Sequence, residues 1–278
     1  MSASDEFFIG WSADVPKRTG AFARRAWMGA LVLGLSIAAY GAISQAPFAK
    51  SRFEFGVERT FEGRIEHIPY PTLVVDRPGA SGDASSSRWL LTVFGKRGAE
   101  EFTQPLDGHR VSVTGSLIYS GAGTMVEILP DSLKDLGEAE APSLPRPSQR
   151  VFGPQDSSVV DTDGSLRRGT FYGEIVDSKC FLGVMKPGNL KTHRACAIRC
   201  ISGGVPPVLV VRGESALDPV TYLLMVDEEG RAVNDRVLEH VAQPIRIQGF
   251  LKSYGDMHVL HAHLGSITRI APGDDPDI

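Results

Sequence analysis

The chain has 278 residues, of which 42% are hydrophobic and 22% charged, and its formal net charge is −4. This composition is typical of globular domains and excludes an intrinsically disordered chain. The length predicts two domains or one large domain. Because nucleic-acid binding usually needs a clustered basic face, the acidic balance argues against a nucleic-acid partner.

The N-terminal region predicts a membrane anchor. Residues 17–25 carry four basic side chains, and residues 26–49 follow without a single charge. About 20 apolar residues suffice to cross a hydrocarbon core roughly 30 Å thick. Because basic residues flank the cytoplasmic end of such spans, we expect residues 1–25 in the cytoplasm of a bacterial cell. The domains after about residue 50 would then face the periplasm, tethered to the inner membrane by a single pass.

A cleaved signal peptide is the main alternative to an anchor. Ala42–Ser44 offers small residues at a cleavage site. The segment before the apolar run is long and contains acidic residues, and the run exceeds a usual signal core, which favours an uncleaved anchor. A buried core helix is the third interpretation. Either of the first two places the following domains in an oxidising compartment.

After the anchor the sequence predicts a mainly β protein with two small modules. Short alternating runs such as "RWLLTVF" and "HRVSVTGSLIY" are separated by Gly, Ser, Pro and Asp clusters, which is typical of strands and turns. The interval 137–168 is rich in Pro, Ser, Glu and Asp and predicts a linker. The predicted parts are a first β-module at 51–136, a second at 169–272 and a tail at 273–278.

The two modules resemble each other along their length. "FEGRI" matches "FYGEI", "WLLTV" matches "YLLMV", and Gly115 falls opposite Gly249 in a third pair of segments. The same order in both halves predicts a duplicated module, with coincidence among small β-domains as the alternative. A glycine within a strand that must bend suggests an OB-like barrel, with an SH3-like barrel or a small sandwich as alternatives. Between "FYGEI" and "YLLMV" the second copy has about 23 residues more than the first copy has between its matching segments. This difference predicts an insertion in the second copy.

All three cysteines of the chain fall within that insertion. Cys180 lies near the end of the first predicted strand of the module, and a turn at 187–189 precedes a short predicted helix. On this helix His193, Cys196 and Cys200 occupy positions i, i+3 and i+7, which share one face. Thr192 is its expected N-cap and Gly203 its expected C′ residue. We expect the strand end to pack beneath the helix, so that all four side chains meet.

Three chemistries fit these side chains. A Cys₃His set suits zinc, and thiolates with imidazole also suit copper(I) or an iron–sulfur centre. In a second interpretation Cys180 forms a disulfide with Cys196 or Cys200, and the remaining thiol becomes reactive beside basic neighbours. These neighbours are Lys179, Arg194 and Arg199. In a third, the cysteines are merely small buried residues.

Further polar residues flank the motif. Asp177 and Glu174 could orient His193, although carboxylates on such a strand are commonly just solvated. His258, His261 and His263 form a second group near the C-terminus, and His261 and His263 share a strand face. This second group is predicted to consist of partly exposed strand residues, with additional metal ligands as the alternative.

The pattern D-x-x-C followed by H-x-x-C-A-x-x-C-x-x-G-G-x-P, here "DSKC" and "HRACAIRCISGGVPP", resembles that of a poorly characterised family of exported bacterial proteins. The resemblance covers about residues 169–212. It implies a small β-domain in which the four residues act together, near electron-transfer or cytochrome components. It implies no established reaction.

The sequence lacks the usual hydrolase, phosphate-loop, haem-attachment and C-x-x-C redox motifs, so it favours a non-enzymatic role without deciding the matter. We expect a membrane-anchored, periplasm-facing accessory protein that holds a metal or a redox-active thiol site for a respiratory or other membrane assembly. The alternative is a structural interaction subunit whose cysteines form a stabilising disulfide.

Overall fold

A computed structural model describes the greater part of the chain, namely residues 15–45, 51–77, 85–139, 169–211 and 221–270. Several predicted segments lie wholly or largely outside these residues: the cytoplasmic segment before residue 15, the anchor after residue 45, most of the linker (140–168) and the tail (273–278). The chain divides into two units, Met1–Lys50 and Ser51–Ile278.

The first unit contains one long helix, α1 (Lys17–Gln45). It begins at Lys17 rather than at Ala26, so the basic cluster forms its first turns. The helix is long and apolar enough to cross a membrane, a property that a signal sequence near the N-terminus would share. Its large apolar side chains, such as Trp27 and Leu31, are exposed, which argues against the buried core helix. Its orientation across a membrane stays a prediction.

The second unit is mainly β, as predicted. Its strands in the described part of the chain are β1 (Arg52–Phe53), β2 (Arg59–His67), β3 (Pro71–Asp76), β4 (Ser86–Val93), β5 (Arg97–Gly98), β6 (His109–Tyr119), β7 (Thr124–Ile128), β8 (Lys134–Glu138), β9 (Gly169–Asp177), β10 (Pro207–Val211), β11 (Thr221–Asp227), β12 (Pro244–Tyr254) and β13 (Met257–Arg269). Two short α-helices accompany them, α2 (Glu100–Thr103) and α3 (Arg194–Ser202). A π-type turn spans Cys180–Val184, and 3₁₀ turns span Gln104–Leu106, Pro130–Ser132, Lys191–His193, Asn234–Arg236 and Leu238–His240.

The strands pair into two rings with the same order. In the first ring β2, β3, β4, β7 and β6 pair in succession, and β6 pairs back with β2. In the second ring β9, β10, β11, β13 and β12 form a closed barrel. Each ring has one parallel pair, β4 with β7 and β11 with β13, and the other pairs are antiparallel.

The matched glycines occupy the same place in the two rings. A Cβ atom on Gly115 of β6 would lie 2.4 Å from the carbonyl oxygen of Glu127 on the neighbouring β7. A Cβ atom on Gly249 of β12 would lie 2.4 Å from the carbonyl oxygen of His261 on β13. Only glycine permits such a close approach of two backbones, which occurs where a strand bends to close a barrel.

The rings share a hydrophobic core as well as having interiors of their own. Leu223 and Met225 of β11 face the interior of the second ring, whereas Leu224 and Val226 pack against residues of the first ring. The first ring contributes Tyr70, Leu90, Ile118 and Met125 to this shared core. Burial of both faces explains why "YLLMV" is a continuous apolar run rather than an alternating one.

Removing a side chain from the shared core should weaken both rings together. We expect Leu224→Ala to lower the free energy of unfolding of the full chain by about 2–5 kcal/mol, because it leaves a cavity at a fully buried position. The measurement is urea unfolding in detergent by circular dichroism, with hydrogen exchange to locate the loss of protection. Leu136→Ala, at an exposed position of β8, is the control and should change stability by less than about 0.5 kcal/mol. Loss of protection confined to the second ring would contradict a shared core.

Candidate metal centre

The cysteines lie in one long connection of the second ring. Residues 178–206, here called the cassette, join β9 to β10, whereas the corresponding connection of the first ring, between β2 and β3, is residues 68–70. The cassette therefore distinguishes the two rings, and all three thiols of the chain belong to it.

The first part of the cassette is fixed by Asp177, the last residue of β9. Its Oδ1 accepts a hydrogen bond of 2.8 Å from the backbone N–H of Cys180. This bond caps the turn that begins there, much as a side-chain oxygen caps a helix start. Cys180 is thereby held just beyond the strand end, and only 3% of its surface is exposed.

The second part of the cassette is helix α3, which covers one end of the second ring. Ala197 and Ile201 are buried in the core of that ring, so their spacing of four residues sets the inner face of the helix. Cys196 and Cys200 precede them by one residue each and form the adjacent stripe. Cys200 packs with Cys180 and Val205 in a small apolar cluster.

The ends of α3 differ slightly from the sequence expectation. His193, rather than Thr192, is the N-cap residue. At the other end Gly203 has φ −85°, and Gly204 takes the left-handed conformation with φ +94°. The N–H of Gly204 bonds the carbonyl of Ile201, and the N–H of Val205 bonds that of Cys200, which together form a Schellman motif. The C′ residue is thus Gly204, not Gly203.

The three thiols converge. The Sγ atoms of Cys180, Cys196 and Cys200 all lie within 4.8 Å of one another, and Cys180 and Cys196 are separated by 4.0 Å. A disulfide bond is about 2.05 Å long, so the structure holds the thiols apart. Cys180 and Cys200 are buried and Cys196 is half-buried, so Cys196 forms the open side of the group.

His193 meets one of the thiols and not the whole group. Asp177, Cys180 and His193 form a second set of ligand atoms within 4.8 Å of one another, and this set shares Cys180 with the thiol group. The Nε2–H of His193 donates to Asp177 Oδ2 at 2.9 Å, and both side chains are almost completely buried. The other ring nitrogen, Nδ1, is buried and has no hydrogen-bond partner among the described residues.

Of the two carboxylates predicted to orient His193, the structure places Asp177 in contact with it. Glu174 instead accepts a hydrogen bond of 2.5 Å from the backbone N–H of Leu190. Leu190 has φ +68°, a conformation that costs a non-glycine residue about 1–3 kcal/mol. Because the Lys191–His193 turn follows directly, Glu174 supports the backbone that leads to the imidazole.

The cation beside the thiols comes from the first ring. Lys96 lies in the turn between β4 and β5, and its Nζ is 2.6 Å from Cys196 Sγ and 3.9 Å from Cys200 Sγ. Neither local pattern nor spacing connects Lys96 with a cysteine 100 residues away, so no sequence signal could have identified it. Of the predicted basic neighbours, Lys179 points to the first ring and Arg194 donates to the carbonyl of Glu239, whereas Arg199 is exposed on α3 next to Cys200.

Close backbone packing brings Lys96 to the helix. The N–H of Gly98 donates to the carbonyl of Gly203 at 2.9 Å, which joins β5 to the end of α3. A Cβ atom on Gly203 would lie 1.9 Å from the carbonyl oxygen of Lys96. Two side-chain-free positions are therefore needed for the turn of the first ring to touch the cassette.

Lys179 makes the reciprocal contact, from the cassette into the first ring. Its Nζ donates to the carbonyls of Val93 and Gly95 at 2.8 and 2.7 Å, and it forms an ion pair with Glu127 at 2.5 Å. The three donors of the ammonium group are thus matched by three acceptors, which explains how a lysine can be 3% exposed.

Burial and neighbouring groups shift the pKa values of two thiols and of Lys96. The neighbouring sulfur of Cys200, together with burial, raises the pKa of the Cys180 thiol. The neighbouring thiol of Cys180, with help from Lys96, lowers the pKa of Cys200. The hydrogen bond to Cys196 raises the pKa of Lys96, so its ammonium form is favoured. The site is therefore suited to hold a thiolate beside a positive charge.

The histidines of β13 take no part in this group. His258 bonds Ser253 Oγ, and His263 Nδ1 lies 2.8 Å from a carboxylate oxygen of Glu228. His261 stacks on Phe250, and burial lowers its pKa. Among the described residues, neither set of closely spaced ligand atoms includes any of the three.

The chain matches no protein-family model and no curated protein at a significant level.

Loss of the buried Lys179 ammonium should undock the cassette. We expect Lys179→Met to lower the free energy of unfolding by about 3–5 kcal/mol, because it leaves the Glu127 carboxylate buried without its partner. Chemical denaturation of the full chain in detergent measures the loss. The double variant Lys179→Met/Glu127→Gln should recover part of it, and Lys186→Met, at an exposed position, should have little effect. Equal losses for the single and the double variant would contradict a specific ion pair.

Proposed function

We propose that this protein is a membrane-anchored β protein that binds one soft metal ion through Cys180, Cys196 and Cys200. The observation that carries the proposal is the convergence of all three thiols of the chain within 4.8 Å, at the junction of the two rings. Packing alone does not require sulfur in the small cluster of Cys180, Cys200 and Val205, because other small apolar side chains can fill such a cluster. Metal ligation, in contrast, requires the three sulfur atoms to converge on one point.

The separation of the thiols fits a single ion. Zinc–sulfur bonds of about 2.3 Å in a tetrahedron place neighbouring sulfurs about 3.8 Å apart. The 4.0 Å between Cys180 and Cys196 is close to that value. Three thiolates suit zinc or copper(I), whereas the common iron–sulfur clusters use four cysteines, one more than the chain contains. A mononuclear zinc or copper(I) site is therefore favoured over a cluster.

His193 has the features of a fourth ligand. Metal-binding histidines usually donate one ring N–H to a carboxylate and ligate through the other nitrogen. Asp177 accepts the hydrogen bond from the Nε2–H of His193. The Nδ1 atom is buried and has no hydrogen-bond partner in the described part of the chain. The imidazole is therefore the candidate fourth ligand of a Cys₃His set. A bound ion would supply Lewis-acid or electron-transfer chemistry, and the chain supplies the ligands, their orientation and the exclusion of water.

The architecture supports a scaffold role for the two rings. Their shared strand order and their matched glycines favour two OB-like modules that arose by duplication, with the cassette as an insertion in the second. Functional sites are commonly added to such folds in their connections. In this proposal the first module supplies Lys96 and the docking surface, and the second supplies the ligands.

The position of α1 supports a role outside the cytoplasm. Positive charges at its N-terminal end favour a cytoplasmic N-terminus and a periplasmic site on the inner membrane. The resemblance of the cysteine–histidine pattern to exported bacterial proteins near electron-transfer components is consistent with service to a respiratory or other membrane assembly. An accessory role, rather than a reaction of its own, accords with the absence of the usual catalytic motifs from the sequence.

The direct test is the metal content of the full chain, purified reduced in detergent. We expect one zinc or copper(I) ion per chain and, with cobalt(II) in its place, the sulfur-to-metal charge-transfer absorption of thiolate ligands. Any one of Cys180→Ser, Cys196→Ser and Cys200→Ser should abolish stoichiometric binding. His258→Asn, outside the group, is the control and should bind as the parent does. A reduced parent protein that takes up no metal would overturn the proposal.

Lys96 should matter to metal affinity without being a ligand. Its ammonium group compensates the negative charge of bound thiolates, and loss of such outer partners typically costs 10–100-fold in affinity. We expect Lys96→Met to raise the dissociation constant for zinc by roughly that factor, measured by competition with a chelator. Lys96→Arg should restore most of the affinity, and Lys134→Met in β8 is the matched control. An unchanged affinity would show that Lys96 is only a bystander.

A second candidate function rests on the 4.0 Å between Cys180 and Cys196. In an oxidising compartment this pair could close as a disulfide, which would lock the cassette and leave the protein a structural subunit. Thiol counting on protein purified without reductant distinguishes the two functions. One accessible thiol and no metal favour the disulfide, whereas three thiols released by a chelator favour the metal.

A further inference from the structure

The cassette carries a charge opposite to that of the chain as a whole. No acidic residue occurs between Asp177 and Glu214, although the full chain has a net charge of −4. The same interval contains only basic charged residues: Lys179, Lys186, Lys191, Arg194, Arg199 and Arg212. A strong local excess of one sign on an oppositely charged protein creates a distinct field around that surface.

Three of these basic side chains are available to contact a partner. Lys186, Lys191 and Arg199 are exposed, and in the described part of the chain none of them forms an ion pair or a side-chain hydrogen bond. The ammonium group of Lys179, by contrast, already has three acceptors within the protein. We call the three exposed residues the basic rim.

The basic rim is connected to the residues of the thiol group by short stretches of chain. Arg199 lies one turn after Cys196 on α3. Lys186 lies in the loop whose Met185 N–H bonds the carbonyl of Cys180. Lys191 opens the turn that leads to His193. These connections keep the three charges near the thiol group, whose most accessible member is Cys196.

Exposed apolar side chains accompany the charges. Phe94 is 73% exposed two residues before Lys96, and Met185 and Leu190 are 43% and 50% exposed in the cassette. Aromatic residues, methionine and arginine are enriched in protein–protein interfaces, which combine apolar contacts with a polar edge. This mixture favours a folded protein over a small anion as the molecule that docks here.

We infer that the basic rim is the docking surface for an acidic partner protein, which meets the thiol group at Cys196. The inference rests on the proposed metal site, since it names the partner with which that site would exchange its ion. Complementary charges would speed association and orient the partner, an effect that weakens as salt is added.

Protection of Cys196 from a neutral reagent tests the inference. The reduced, metal-free full chain in phosphatidylcholine nanodiscs is treated with 2,2′-dipyridyl disulfide, with and without poly-L-glutamate as the acidic polypeptide. We expect poly-L-glutamate to slow the first labelling phase about tenfold at low salt, and less than about twofold at 0.5 M salt. The readout needs no metal, so it stays valid even if the chain binds none.

Charge reversal supplies the matched comparison. The variant Lys186→Glu/Lys191→Glu/Arg199→Glu should lose the protection, while its labelling rate without poly-L-glutamate shows that the thiols remain accessible. The control Lys134→Glu/Arg246→Glu/Arg269→Glu reverses three exposed charges outside the cassette and should keep the protection. Protection that survives rim reversal, or no protection in the parent, overturns the inference. Protection by phosphatidylglycerol nanodiscs alone, with no effect of poly-L-glutamate, would instead assign the basic rim to an anionic membrane.

Discussion

The docking of the cassette onto the first ring is the constraint on which the thiol group depends. It is maintained by two lysines that cross the junction in opposite directions. Lys179 leaves the cassette and is satisfied by the carbonyls and the Glu127 carboxylate of the first ring. Lys96 leaves the first ring and reaches the thiols. Because the ammonium of Lys179 is fully matched, its burial fixes Cys180, the next residue, without leaving an uncompensated charge.

The site is therefore a product of tertiary structure rather than of the cassette alone. The three cysteines are close in sequence, but the distances between their Sγ atoms depend on β9, on α3 and on the turn between β4 and β5. The backbone contact of Gly98 with Gly203 sets the distance between that turn and the helix. In a flexible cassette, each binding event would have to order the segment and so lose conformational entropy. In a docked cassette this entropy is lost during folding, before any ligand binds.

Some of this could be read from the sequence, for physical reasons that differ from element to element. The long apolar helix and the β character follow from local apolar patterns. The matched glycines could be found because a bend that closes a barrel leaves a single-residue signature. The sharing of a face by Cys196 and Cys200 follows from helical periodicity. His193, predicted with them on one face, instead lies at the N-cap and meets Asp177 and Cys180. Lys96 and Lys179 could not be assigned, because a lysine that crosses between rings looks like any surface lysine.

The shared core has a consequence for how the protein can be divided. Leu224 and Val226 are buried in a cluster to which the first ring contributes Leu90, Ile118 and Met125. A polypeptide that ended between the rings would present this apolar face to solvent and would tend to aggregate. Two complementary fragments made together, however, would recover each other's missing surface. The chain thus lends itself to reconstitution from halves, in which the sulfur centre would report when reassembly is complete.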